Sequence, residues 1–151
     1  MRVRSRRTVS RAAAIALAAA LSIGTLAPPA GALNRLESRL LNKVNNSRES
    51  HGLRQLRASD WLSRKARGHT SRMIRRGTLF HTRCLSCIFR GRQWHKVGEN
   101  VGLAANVRRI HRLMMRTSGH RSNILGRGYH SIGLGAKATR RGVWVTEIFW
   151  G

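Results

Sequence analysis

Apolar residues recur along this chain at two spacings, and each spacing predicts a different kind of element. Leu36, Leu40, Leu41 and Val44 share one face of a helix. Asn34 and Glu37 open that helix as a capping box, and Gly52 ends the run. A second helix is predicted from Ser59 or Asp60, with Leu62, Ala66, Met73 and Ile74 inward and Gly77 as its stop. On it Trp61 reads as a core or rim aromatic and His69 as a surface or packed histidine. Between Gly77 and Gly98 periodicity is lost, which predicts loop, with His81 near its start. Val97 to Leu103 is a short apolar run broken by Gly98 and Gly102, read as a strand end where backbones approach closely. Asn106 caps a third helix bearing Val107, Ile110, Met114 and Met115; Gly119 interrupts it, and His120 to Leu125 forms a further helical turn.

The spacing changes to two at the end of the chain. Ser131 to Ala138 and Val143 to Trp150 are strand-like runs joined by Thr139-Arg140-Arg141-Gly142, a connection of hairpin length. Ile132 and Leu134 share one face of the first run, while Gly133 and Gly135 leave the other open to a close neighbour. In the second run Val143, Val145, Glu147 and Phe149 alternate with Trp144, Thr146, Ile148 and Trp150, so both faces carry apolar residues. Such a strand needs cover on both sides. The predicted class is therefore α+β, a three-layer α-β-α sandwich with a small antiparallel sheet between helices.

Residues 1–32 are set apart from this fold. Arg2, Arg4, Arg6, Arg7 and Arg11 precede an apolar run from Ala12 to Ala27, and Ala30-Gly31-Ala32 has the small-x-small form of a cleavage site. This predicts an export signal over 1–32 and one domain over 33–151, hence a secreted, extracellular protein. Five of the 30 basic residues and none of the five acids lie in that segment, so the remaining chain carries net +20. Such an excess favours anionic envelope polymers or a membrane surface as partners. Nothing in the spacing points to specific nucleic acid, and the chain is read as a monomer. An exported chain meets oxidising conditions, so Cys84 and Cys87 are expected to form a disulfide. The alternative spaces His81, Cys84 and Cys87 as half a zinc site, completed by His95 or His120.

Candidate chemistry lies in three separated segments. They are Leu79-Phe80-His81, Gly98-Glu99-Asn100, and Ser118-Gly119-His120-Arg121-Ser122-Asn123-Ile124-Leu125. An acid and two histidines suit a metal site, an acid–base pair or a hydrogen-bonded core, and spacing does not choose among these. Nucleophile elbow, phosphate loop and metalloprotease helix are absent from the sequence. With Tyr129-His130-Ser131-Ile132-Gly133-Leu134-Gly135 and Gly142 to Trp150, these pieces give the chain, from about Leu36 to Trp150, a resemblance to the CAP superfamily. That superfamily comprises cysteine-rich secretory, antigen-type and pathogenesis-related proteins with an SCP-like extracellular domain, and the chain looks like its bacterial branch.

The resemblance implies the same sandwich and a cavity of two histidines and two acids. By motif His81 and His120 match the histidines and Glu99 one acid, with Asn100 and Arg121 beside them. The second acid, expected on the helix before His120, is missing; His111 is the residue there that could fill its place. His81 and His120 remain as a pair of ligands for zinc or another divalent cation. The function expected is a secreted, non-enzymatic, ligand-binding domain whose His/Glu cleft takes a divalent metal, a lipid or another small apolar ligand. The alternatives are a metal-assisted hydrolase of cell-envelope material and a surface-adhesion protein driven by charge.

Overall fold

The computed structural model describes residues 32–151; apart from Ala32, the segment predicted to direct export lies outside them. The first helix, α1 (Arg35–Glu49), begins as its sequence requires. Asn34 Oδ1 accepts from the amides of Leu36 and Glu37 at 2.9 and 3.0 Å, and the Asn34 amide donates to Glu37 Oε2 at 2.9 Å. Glu37 also receives Nε and Nη2 of Arg67 at 2.9 and 2.7 Å, which ties α1 to α2 (Asp60–Arg76). Ser59 caps α2, and Gly77 ends it in the left-handed conformation at φ 67°.

Among the described residues four strands follow the order β1-β3-β4-β2, where β1 is Arg57–Ala58, β2 Val97–Ala104, β3 Ser131–Thr139 and β4 Gly142–Trp150. The hairpin of β3 and β4 is the predicted one, and β2 joins β4 antiparallel. The sheet is mixed rather than antiparallel throughout, because β1 pairs parallel with β3. Two residues cannot display a period, so β1 left no trace in the hydrophobic pattern.

Helices cover both faces. Leu62 and Ala66 of α2 pack with Ile148, and their backbone lies so close to the sheet that a side-chain carbon on Gly133 or Gly135 would overlap it. The opposite face holds the larger core, with Leu40 and Val44 of α1, Ile110 and Met114 of α3 (Val107–Arg116), and Ile124 of α4 (Ser118–Ile124). These lie on Leu134, Val145 and Phe149. The break expected at Gly119 comes two residues earlier: Thr117 is extended, and Gly119 sits inside α4. Between α2 and β2 the chain is loop with one 3₁₀ turn, Ser86–Phe89, beside the Cys84–Cys87 disulfide. Among the described residues no helix is long and apolar enough to cross a membrane.

Candidate functional site

Of the candidate residues, His81, Glu99, Asn100 and His120 lie around β2, which is the edge strand on the β4 side. Neighbouring residues of a strand point to opposite faces. Glu99 therefore turns toward α2 and Asn100 toward α4, and the site wraps around the sheet edge between two layers.

On the α2 side Glu99 is buried and fully engaged. Its Oε2 accepts from His81 Nδ1 at 2.9 Å and from the Thr82 amide at 2.8 Å, and its Oε1 accepts from the Thr82 hydroxyl. A carboxylate only accepts, so His81 must carry a proton on Nδ1. With its side chain 59% exposed, His81 is left with Nε2 free for a ligand. His69 holds the same loop from below. It is buried in α2 and donates from Nε2 to the Phe80 carbonyl at 2.7 Å, while Arg72 Nη2 lies 3.2 Å from its Nδ1. Its Nε2 is 4.0 Å from Glu99 Oε1. The loop bearing His81 is thus fixed at Phe80, His81 and Thr82 in turn. Around it opens a hollow of about 410 Å³ bordered by Arg72, Arg76, Phe80 and Arg83.

On the other side Asn100 is wholly buried and organises α4. Its Nδ2 donates to Glu147 Oε2 at 2.9 Å and to the His120 carbonyl at 3.2 Å. Its Oδ1 accepts from Asn123 Nδ2 at 2.9 Å, and Tyr129 donates its hydroxyl to Asn123 Oδ1. The half-buried His120 lines a groove of about 190 Å³ together with Leu79, Val101, Leu103, Leu113 and Met114. Burial pulls the His120 pKa below the ordinary imidazole value, and the charge of His81 pulls it the same way. Glu99 and His81 therefore meet directly, whereas His120 is held on the other side of the strand, its carbonyl bonded to Asn100. Arg121 points elsewhere, with Nη2 3.4 Å from His51 Nε2 at the surface. His111 is buried against α1, its Nε2 2.8 Å from Ser47 Oγ. Ser122 donates to the Gly119 carbonyl and engages no histidine.

Residues 41–149 match the family model of the cysteine-rich secretory protein family, CAP. The chain belongs to that family. Its fold is similar to that of an outer surface protein from Borrelia burgdorferi, at TM-score 0.67 and 16% identity over 75% of this chain and 90% of that one. It is also similar to an extracellular protein containing an SCP domain from Bacillus anthracis, at TM-score 0.65 and 19% identity over 76% of this chain. A cysteine-rich secretory protein from Staphylococcus aureus gives TM-score 0.63 and 22% identity, again over 76% of this chain. The match spans 39% and 38% of those last two proteins. No curated protein matches the sequence.

Two residues of this CAP domain escaped the sequence reading of its site. His69 shares a helical stripe with Ala66, Thr70 and Met73, a spacing that marks it as inward-facing but does not show Glu99 as its neighbour. Glu147 was visible only as one position of an alternating strand. It is wholly buried, Oε1 has no partner, and burial pushes its pKa up to about 7 against the opposing Asn100 hydrogen bond. As a metal centre the donor set is short. Among the described residues no group of three His, Cys, Asp or Glu side chains is arranged to hold an ion. Both Glu99 oxygens are already taken, which leaves the imidazoles of His81 and His120 where a catalytic zinc has three protein ligands.

Proposed function

We propose that this CAP-domain protein is exported and acts without catalysis, binding a lipid-like or other small apolar ligand in the cleft around β2. Leu79 and Leu113 carry the reading: at 42% and 45% exposure they are large apolar side chains left open, and both line the groove that His120 also lines. A groove of about 190 Å³ suits a short alkyl segment, with an anionic head toward His81, Arg76 and Arg83 in the hollow bordered by Phe80, the residue after Leu79. Export is supported by the basic start, apolar run and small-x-small site of residues 1–32. It is also supported by the outer-surface and extracellular names of two proteins of similar fold. The helix before His120 carries no acid and both oxygens of Glu99 are already hydrogen-bonded, which argues against a mechanism that needs two carboxylates.

A dansyl-labelled fatty acid tests the binding. Leu113 is exposed, so Leu113→Arg should keep the fold and weaken binding about tenfold, the worth of one buried leucine contact. Unchanged binding in that variant would move the ligand elsewhere or remove it. A metal-assisted hydrolase of envelope material is the second reading. It is favoured by one observation, the His81 Nδ1–Glu99 pair, which presents Nε2 outward as the carboxylates behind metal-binding histidines do. Zinc calorimetry on wild type and the His81→Ala/His120→Ala double variant distinguishes it: heat lost in the variant supports the metal.

A further inference from the structure

Among the described residues three large apolar side chains stand open on the surface, and the third, Trp94 at 40% exposure, lies outside the cleft. It belongs to a chain of rings. Trp94 packs on Phe89 at 6.4 Å, Phe89 on Trp150 at 6.1 Å, and Trp150 on the exposed His130 at 5.1 Å. Trp61 completes the cluster at 6.0 Å from Trp150, with the Arg92 guanidinium over its face at 4.2 Å. At the His130 end the rings run into a hollow of about 500 Å³ lined by Arg54, Arg57, His130 and Ser131.

That hollow is short of negative charge. Behind it the buried guanidinium of Arg48 is bonded to the Arg54 carbonyl at 2.9 Å, and its pKa is pulled down by burial and by the charge of Arg54. Glu49 reaches the rim through Gln55 at 3.4 Å. Cations focused in a concave site draw anions. A hollow this size is larger than a lone phosphate, and the exposed indole of Trp94, three ring contacts from the hollow, offers a flat apolar face to a sugar ring further along the same chain. Sugars carrying phosphate combine both features.

We propose that the Arg54/Arg57/His130 hollow and Trp94 form a binding site for a phosphate-bearing glycan chain, with phosphate in the hollow and a sugar ring on Trp94. The site uses no residue of the His81/His120 cleft, so the two stand or fall separately. It gives the net +20 of residues 33–151 a particular address.

A second hollow supplies the control. It lies between α1 and α3, is of about 520 Å³, and is lined by Arg39, Lys43 and Arg108 without an aromatic residue. The probes are glycosylated poly(glycerol phosphate), the same polymer without sugar, single-stranded DNA and anionic phospholipid vesicles, at physiological salt. Arg54→Gln/Arg57→Gln should weaken both glycerol phosphate polymers about tenfold, as charge-assisted contacts are lost. Arg39→Gln/Arg108→Gln, removing the same charge, should change them less than about twofold. Trp94→Ala, at an exposed position, should weaken only the glycosylated polymer, about fivefold, the scale of one aromatic contact. Equal losses in the two arginine pairs would reduce the interaction to net charge and overturn the proposal. So would DNA or vesicles that bind more tightly than the polymers and respond to Arg54, Arg57 and Trp94.

Discussion

Replacing Glu147 with glutamine should stabilise the protein at about pH 8 relative to wild type, and the advantage should disappear toward pH 4.5. The carboxyl is wholly buried in β4, holds one hydrogen bond from Asn100 and has an unpartnered second oxygen. Burial raises its folded pKa from 4.5 to about 7, so the unfolded chain gives up this proton first as pH rises. Below pH 4.5 both states hold the proton, and the stability linked to it is fully present; it is lost progressively as pH climbs through about 7. The swing amounts to on the order of 3 kcal/mol between those limits. Glutamine keeps the acceptor for Asn100 and cannot ionise. Chemical denaturation of both proteins from about pH 4.5 to 8 checks this, since parallel curves would mean Glu147 does not titrate in that window. Asn100 also bonds the His120 carbonyl and Asn123, so ionisation of Glu147 acts beneath α4.

Arg48→Met should cost about 3 kcal/mol at every pH from about 5 to 8, with a fall in melting temperature of roughly 10 °C or more. The guanidinium is 1% exposed and has no carboxylate partner among the described residues; it donates to the carbonyls of Arg54, Ile124 and Gly126, each at 2.9 Å. Those bonds join the end of α1 to the following loop and to the end of α4. Methionine keeps much of the stem volume, yet leaves buried carbonyls without donors, and that is the dominant cost. Arg48→Lys should recover only part of the loss, because one ammonium lacks the planar fork that reaches three carbonyls. Thermal unfolding of the two variants measures both effects. A methionine variant as stable as wild type would show that water replaces the guanidinium without cost.

The hydrophobic pattern carried the layers further than it carried the site. The Asn34–Glu37 box, the glycine stop at Gly77 and the two apolar faces of β4 each follow from local chemistry, and all are present. The parallel strand β1 was not legible because its pairing partner lies far along the chain, Arg57 opposite Ser131, and its own length shows no period. The motif containing Glu99 and Asn100 was legible as a unit, but not its division. Adjacent strand residues point oppositely, so the acid serves His81 while the amide serves α4. Glu147 and His69 depend on burial and on partners from other segments, which no single stretch of sequence displays.

If His81 and His120 border one cleft around the edge of β2, the ring resonances of the two histidines, followed through a pH titration, will report it. His120 should titrate below the ordinary imidazole value of 6.5. In His81→Ala its pKa should rise, because burial remains while the neighbouring charge is gone. Adding decanoate should move both rings in the wild type. A His120 that titrates at its ordinary value, indifferent to His81→Ala and to decanoate, would show that the two histidines do not share a cleft.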